Sequence, residues 1–198
     1  MDWLHRPRSR FGGRFSKYEI KATRTGGTWA EKYESKITHW DVAPGPEYFK
    51  ELFRVSKNQI IWGGNYFDLP PTRCFIVWRK LTISEGFTLA MCEYAWTSFN
   101  ANAKYFEFAP QGRPNEPRIH PTQKPVELYS FCLRHFAKAG DKILDTHAGS
   151  GSALIAAYYR NLPWMGFEID EGYYQKAQAR IKKEMSKGFL FNDQGGEL

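Results

Sequence analysis

The 198-residue chain has few cysteines, no long apolar run and fewer acidic than basic residues. Its cysteines, Cys74, Cys92 and Cys132, are widely spaced, so we expect buried small hydrophobic residues rather than a disulfide framework or a metal site. No run of about 18 apolar residues and no apolar N-terminal segment is present, which argues against a membrane span and a secretory signal. These absences fit a protein of the reducing cytoplasm.

Hydrophobic residues make up 42% of the chain and aromatic residues 17%, which is enough for one domain with a substantial core. The formal net charge is +7, and residues 1–28 hold seven basic residues against Asp2 and Glu19. The seven are Arg6, Arg8, Arg10, Arg14, Lys17, Lys21 and Arg24. A basic segment with interleaved glycine and aromatic residues suits a nucleic-acid backbone. A solvated, poorly ordered tail is the alternative.

Hydrophobic periodicity predicts three parts, namely a basic, poorly ordered segment at 1–40, a domain at 41–187 and a frayed tail at 188–198. The domain begins with a helix from Pro46 to about Val55 and continues with strands at 59–62, 74–78 and 89–96, followed by irregular structure at 97–118. From residue 125 the pattern is helix, strand, helix, strand, helix. This order is typical of an α/β fold with parallel strands.

The most informative motif runs from Asp145 to Ser152, where a strand ends in an acid, turns through Gly149 and Gly151, and enters a helix. Such a turn allows a ligand to approach the backbone closely, and the acid can accept an ammonium. The next strand ends in Glu168, which suits two ribose hydroxyls. The pattern indicates a nucleoside site, although glycines that serve only helix–strand packing remain an alternative. Dinucleotide enzymes share it, but their third glycine would fall at Leu154.

A second motif, Arg118-Ile119-His120-Pro121-Thr122-Gln123-Lys124-Pro125, lies before the helix that precedes the glycine turn. Two prolines stiffen it, and it offers an imidazole, a hydroxyl, an amide and an ammonium group. By itself it predicts either a wall of the nucleoside pocket or a capped helix start, with Thr122 or Gln123 as the cap.

Together, His-Pro-Thr-Gln-Lys-Pro at 120–125 and Asp-x-x-x-Gly-Ser-Gly-Ser at 145–152 resemble the permuted (beta-group) S-adenosylmethionine-dependent DNA amino-methyltransferases of phage and prophage type. The runs at 54–67 and 92–98 are similar as well, so the resemblance spans residues 37–185. It implies a Rossmann-like, circularly permuted α/β fold with a mostly parallel sheet and helices on both faces. It also implies that one central strand is missing.

The resemblance places Asp145, His147, Gly149 and Gly151 at the methionine end of S-adenosylmethionine and Glu168 at its ribose. His120, Thr122 and Lys124 then close the pocket. Residues 41–118 become the substrate-side half and 119–187 the cofactor half. By analogy Asn65 and Trp78 lie at strand ends on the substrate side, and a purely structural role for either residue is the alternative. The implied reaction is methylation of an exocyclic amine of double-stranded DNA, adenine N6 in preference to cytosine N4, in a bacterium or a phage-infected host.

The family's catalytic tetrapeptide, Asp-Pro-Pro-Tyr, is absent from the chain. Its acceptors localise the lone pair of the target amine, and its ring stacks on the flipped base. The one Pro-Pro pair is Pro70-Pro71, after Asp68 and Leu69, which makes Asp68 a weak catalytic candidate and a turn the alternative. We therefore expect a fragment of a longer protein, the product of a truncated gene, or an inactive remnant. We also expect that a homodimer or an upstream polypeptide completes the protein.

Overall fold

The computed structural model describes residues 42–86, 89–112 and 116–187. Ten elements and one short 3-10 helix, Gly64–Tyr66, occur in them. In chain order the elements are α1 (Pro46–Val55), β1 (Ile60–Trp62), β2 (Phe75–Lys80), β3 (Cys92–Thr97), β4 (Lys104–Phe108), α2 (Val126–Phe136), β5 (Ile143–Asp145), α3 (Ser152–Tyr159), β6 (Trp164–Gly166) and α4 (Glu171–Ser186). Within the described ranges no helix is both long and apolar enough to cross a bilayer.

Four strands form one sheet in the order β1-β3-β2-β4. β3 runs antiparallel to both β1 and β2, whereas β4 runs parallel to β2. Alternate residues of β2, Ile76 and Trp78, are buried, as the period-two geometry of a strand requires. The indole N–H of Trp78 donates to the Phe108 carbonyl at 3.0 Å and ties β2 to the end of β4.

β5 and β6 form a second, parallel sheet in which Asp145 lies opposite Gly166. α3 connects the two strands, and its residues Ser152 to Ala157 are all buried. A helix that is apolar on nearly every side belongs in a core, and these small side chains let it lie close to both strands and to α4. This arrangement brings the C-terminal ends of β5 and β6 to the same edge.

α2 is shared by two hydrophobic clusters. Val126 belongs to one with Leu154, Ile155 and Ile181, and Tyr129 and Leu133 pack against it. Phe131 and Cys132 belong to the other, with Ile76 and Ala95 of the four-stranded sheet. Within the described ranges β1 pairs only with β3 and β5 only with β6, so no hydrogen bonds join the two sheets. α2 therefore packs against both sheets. Among the described residues, β1 and β5 are edge strands of their sheets.

The α/β class and the helix–strand alternation after residue 125 are confirmed. The prediction of a mostly parallel sheet needs correction, because two of the four strand pairings are antiparallel. The prediction of irregular structure throughout 97–118 is wrong, because β4 lies there. β4 is an edge strand with Tyr105 and Glu107 exposed, and the prolines that follow it obscured its short alternating pattern.

Two residue-level predictions are also wrong. Cys92 is exposed at the start of β3, although Cys74 and Cys132 are buried as expected. Trp78 lies in the middle of β2 and is fully buried, so it has no place at the substrate side. The predicted segments 1–40 and 188–198, with all seven basic residues named above, lie outside the described residues and remain predictions.

Candidate functional site

Asp145 and Glu168 meet at the C-terminal edge of the parallel pair β5–β6. Asp145 is the last residue of β5, and Glu168 follows β6 by two residues. Glu168 accepts the Gly149 backbone N–H at Oε2, 2.8 Å away, and the Asp170 N–H at Oε1, 2.9 Å away. The glycine turn is therefore bonded to the loop after β6. Asp145, the glycine turn and Glu168, which the sequence predicted to form one site, therefore lie together.

The glycine turn requires glycine at two positions. Gly149 and Gly151 have φ values of +51° and +74°, a region that side-chain-bearing residues rarely adopt. A Cβ on Gly151 would lie 2.9 Å from Ile181 Cδ1, and one on Gly149 would lie 3.3 Å from the His120 ring. The turn is thus pressed against α4 on one side and against His120 on the other. Packing against these two neighbours constrains the turn.

The carboxyl group of Asp145 lies in a poorly solvated position. Burial raises its pKa above the ordinary value, and the backbone N–H of His147, which donates to Oδ1 at 3.1 Å, partly opposes this. Glu168 raises the pKa further, whereas Lys124 lowers it. A cation placed beside Asp145 would relieve this cost. The site favours a positively charged ligand group at this position.

His147 is exposed at the mouth of the turn and is held by two neighbours. Its Nδ1 lies 3.0 Å from Thr146 Oγ1, which in turn lies 2.7 Å from the Tyr48 hydroxyl of α1. The Tyr48 ring meets the imidazole edge-on, with centroids 5.4 Å apart. Sequence analysis missed Tyr48, whose position in the apolar stripe of α1 indicated only a core residue. α1 therefore reaches the predicted pocket.

His120 lies behind the glycine turn, with 4% of its surface exposed. Its ring packs against Tyr173 of α4 with centroids 4.3 Å apart, and its Nδ1 accepts the Thr122 N–H at 3.2 Å. Burial lowers the pKa of His120, which keeps the ring neutral at neutral pH. Thr122 itself is exposed. In this arrangement His120 supports the turn from the rear.

Lys124 links the second motif to the four-stranded sheet. Its Nζ lies 3.2 Å from Glu93 Oε2 on β3 and 5.7 Å from the centre of the Trp62 ring. Lys80 of β2 reaches the other oxygen of Glu93 at 2.7 Å. Burial opposes ionisation of Glu93, but Lys124 and Lys80 outweigh it and lower the pKa of Glu93. Lys124 thus has a structural partner as well as a position near Asp145.

The segment around Asp68 has a structural role. Asp68 is exposed, whereas the carbonyl of Pro70 accepts the indole N–H of Trp96 at 2.7 Å. The Thr72 hydroxyl donates to the carbonyl oxygens of Cys74 and Thr97 at 2.9 and 2.6 Å. The Pro70 carbonyl and the Thr72 hydroxyl thus tie this segment to β3. Asn65 is exposed in the short 3-10 helix Gly64–Tyr66 that follows β1, and its place on the substrate side stays a prediction.

Two exposed apolar residues flank Glu168. Phe167 and Ile169 are 56% and 87% exposed at the carboxyl end of β6. Sequence analysis assigned them no role, since a single apolar residue beside an acid carries no distinctive pattern. They provide an apolar surface next to the carboxylate.

Residues 22–179 match the family model described as DNA methylase (N6_N4_Mtase). The type II methyltransferase M.HindIII of Haemophilus influenzae is 28% identical over 128 residues, which cover 58% of this chain and 41% of that protein. M.HpaI of Haemophilus parainfluenzae is 33% identical over 67 residues, 34% of this chain and 21% of that protein. The chain thus spans less than half the length of these relatives.

Among solved structures, the complex of M1.HpyAVI with SAM is similar, with a TM-score of 0.48, 19% identity and coverage of 68% of each chain. The cytosine-N4-specific PvuII DNA methyltransferase gives a TM-score of 0.44 and 12% identity over 57% of this chain and 54% of that one. The family match extends over most of the chain and includes both motifs and every strand described above. This chain belongs to the DNA methylase family.

Proposed function

We propose that the edge of β5 and β6 binds S-adenosylmethionine and that the protein methylates an exocyclic amine of a DNA base. Adenine N6 is the proposed target, and cytosine N4 is the alternative. The observation that carries the proposal is the placement of Asp145 and Glu168 on either side of the glycine turn, with Glu168 bonded to Gly149. The proposed setting is the cytoplasm of a bacterium or a phage-infected host.

The chemistry of the site fits this cofactor. The poorly solvated carboxyl group of Asp145 suits the ammonium of the methionine part. Each oxygen of Glu168 accepts one backbone N–H and retains a lone pair for a ribose hydroxyl. Phe167 and Ile169 offer an apolar surface for the adenine ring. When bound, the cofactor supplies the methyl group, and these residues bind and orient it.

A nicotinamide-dependent enzyme is the rival reading, and Leu154 argues against it. Leu154 stands where the third glycine of a dinucleotide fingerprint would lie. It is buried in α3, and a Cβ added to Gly166 would come within 2.5 Å of its Cδ1. The close contact between helix and strand thus depends on glycine in β6 and not in α3. This local chemistry differs from that of the dinucleotide motif.

Double-stranded DNA is the proposed substrate, and the charge of the chain supports it. The formal net charge is +7, and seven basic residues lie in the first 28 positions. Such a segment neutralises backbone phosphates without reading sequence. The choice of target sequence requires contacts beyond these.

The group that activates the target amine is proposed to come from outside the described residues. Methylation of an exocyclic amine needs acceptors that localise its lone pair, and the Asp-Pro-Pro-Tyr tetrapeptide that supplies them in the family is absent from the sequence. Among the described residues β1 and β5 each pair with one strand only, and we propose that their other edges accept a further strand. We infer that an upstream polypeptide supplies the catalytic loop; a homodimer is the alternative assembly, although a second copy of this sequence lacks the tetrapeptide as well. A remnant that binds cofactor and DNA without catalysis is the second candidate.

Cofactor binding is tested by calorimetry with S-adenosylmethionine and its demethylated product. We expect the parent protein to bind and Glu168→Ala to bind more weakly by roughly 2–4 kcal/mol, because two hydrogen bonds to a carboxylate are lost. Glu171→Ala removes an exposed carboxylate of α4 and should leave the affinity unchanged. Unchanged affinity in Glu168→Ala would remove the ribose role. Preference for a nicotinamide dinucleotide would overturn the proposal.

Methyl transfer is tested with tritiated cofactor and unmethylated genomic DNA. We expect no detectable transfer by the 198-residue chain alone, because losing even one acceptor of developing charge costs about 100- to 1000-fold in rate. Activity should appear when a polypeptide carrying Asp-Pro-Pro-Tyr is co-expressed or fused upstream. Nucleoside mass spectrometry then distinguishes methylated adenine from methylated cytosine. Robust turnover by the chain alone would contradict this expectation, and Asp68→Ala would be the next variant.

A further inference from the structure

We propose that Arg180 is a positioning residue that fixes the glycine turn at 149–152 relative to the second motif at 118–125. The inference rests on the proposed cofactor site but concerns a residue outside both motifs. Arg180 lies in α4, with 9% of its surface exposed. A buried guanidinium is costly unless acceptors satisfy its donors.

The first partners lie in the glycine turn. Arg180 Nη1 donates to the Ser150 carbonyl at 2.8 Å and to the Ser152 hydroxyl at 2.9 Å. Ser152 begins α3, and the preceding N-cap residue, Gly151, has no side chain with which to cap it. Ser150 and Ser152 also face each other, with hydroxyl oxygens 3.1 Å apart. The guanidinium only donates, so it does not cap the helix N–H groups. It holds the turn to α4 through the Ser150 carbonyl and the Ser152 hydroxyl.

The second partner, Glu116, lies just before the second motif. Arg180 Nη2 is hydrogen-bonded and ion-paired to Glu116. Glu116 precedes by two residues the motif that carries His120, Thr122 and Lys124. Only 8% of the Arg180 side chain and 18% of the Glu116 side chain are exposed, so water screens this pair weakly. One side chain therefore bonds both to the glycine turn and to the residue just upstream of the second motif.

The rest of the same helix face supports this arrangement. Tyr173 packs on His120, and Ile181 lies under Gly151, so α4 forms the rear wall of both segments. These apolar contacts set how far the two segments lie from α4. They do not fix how the segments are aligned along the helix, because apolar contacts are non-directional. The planar guanidinium group of Arg180 supplies this alignment, because its N–H donors point in fixed directions. A lysine at this position could not reach the Ser150, Ser152 and Glu116 acceptors together.

A shift of the glycine turn would also move Glu168, which is proposed to bind the ribose. Gly149 donates to Glu168, and the Ser150 carbonyl held by Arg180 belongs to the next residue. Loss of the guanidinium fork would release Ser150 and change where Glu168 lies. We therefore expect Arg180 to govern cofactor affinity without touching the cofactor.

The test compares Arg180→Lys with Arg160→Lys, which makes the same exchange at an exposed position. Cofactor affinity is measured by calorimetry with S-adenosylmethionine, and folding by thermal unfolding without ligand. We expect Arg180→Lys to weaken binding by at least about tenfold while the protein stays folded at the assay temperature. Arg160→Lys should match the parent. Glu116→Gln should also weaken binding, and the double variant should lose less than the sum of the two.

Parental affinity in a folded Arg180→Lys protein would overturn the proposal, as would fully additive losses in the double variant. Hydrogen exchange of peptides covering residues 146–152, measured without ligand, separates this outcome from failure of the proposed function. If the parent binds no cofactor, faster exchange of these amides in Arg180→Lys, but not in Arg160→Lys, still supports the anchoring role. Equal exchange in the two variants overturns it.

Discussion

Asp145 shows how a single carboxyl group can be prepared for a ligand. Burial raises its pKa, and the His147 N–H offsets only part of that effect. A carboxylate in such a position is less stable without a ligand than one in water, so an arriving ammonium gains more from pairing with it. The environment of the residue, and not its identity alone, makes it a candidate binding group.

This environment predicts a pH dependence of cofactor binding. Because the pKa of Asp145 is raised, the group takes up a proton at a higher pH than an ordinary aspartate, and its charge is lost as the pH falls. The α-amino group of the cofactor stays protonated below about pH 7. We expect calorimetric affinity to decrease from about pH 7 towards about pH 4.5, and to begin to do so above the usual aspartate range.

Asp145→Asn is the matched variant for this prediction. It should bind weakly at all pH values and should lack the decrease, because the amide does not titrate. Glu168, Lys124 and His147 also lie nearby, and both proteins contain them. A decrease of equal size in Asp145→Asn would assign the pH dependence to one of them.

At the scale of single elements, β6 is shaped by one glycine. A Cβ on Gly166 would lie 2.5 Å from Leu154 Cδ1 and 3.3 Å from the Ala148 Cβ. Leu154 is buried in α3 and packed among Val126, Ile155 and Ile181, so it has little room to move. The absent side chain lets helix and strand pack closely.

Gly166→Ala should therefore destabilise the protein by about 1–3 kcal/mol, the usual cost of overpacking a core. Urea unfolding followed by circular dichroism measures the change. Gly86→Ala is the control, because nothing lies within 4 Å of a Cβ there and its effect should stay within about 0.5 kcal/mol. Shortening the neighbour in Gly166→Ala/Leu154→Val should recover part of the loss. Equal stability of Gly166→Ala and the parent would show that Leu154 yields freely.

Helices α1 and α4 have functions that their sequences alone do not reveal. α1 extends Tyr48 to Thr146 beside the glycine turn, and α4 extends Arg180 to the same turn from the other side. Each helix has an ordinary amphipathic pattern, which predicts burial but not the identity of the buried partner. The partners lie 98 and 30 positions away in the chain.

At the scale of the whole molecule, charge is distributed unevenly. The first 28 residues hold seven basic residues, whereas the described domain contains ion pairs such as Lys124–Glu93 and Arg180–Glu116. Charges that are already ion-paired contribute less to a phosphate interface than unpaired charges do. We therefore propose that the N-terminal segment contributes most of the affinity for DNA.

DNA binding by the whole chain should be weak and strongly dependent on salt. If about five phosphates are contacted, the logarithm of the binding constant should fall with that of the salt concentration at a slope near −4 to −5. Fluorescence anisotropy with a labelled duplex measures this slope. Deleting residues 2–28, or replacing the seven basic residues by glutamine, should flatten it. An unchanged slope in both variants would show that the segment only increases solubility.

Much of the candidate site could be predicted from local sequence. Asp145, Gly149, Gly151 and Glu168 follow strand ends and turns, whose backbone geometry depends on a few neighbouring residues. β4 was missed because five residues on a sheet edge carry a weak pattern that only pairing with β2 stabilises. Trp78 was misplaced for a similar reason, because an indole in a strand gives no sign of which face is covered.

The sequence by itself determined the α/β class, the glycine turn between β5 and β6, and the two carboxylates beside it. These features depend on backbone preferences and on spacing along a few residues. Only the tertiary structure decided that Arg180 anchors the turn to Glu116, that Tyr48 reaches Thr146 and that Lys124 pairs with Glu93. The reason is physical: such contacts join residues distant in the chain, and packing of whole elements chooses the partner from many chemically equivalent side chains.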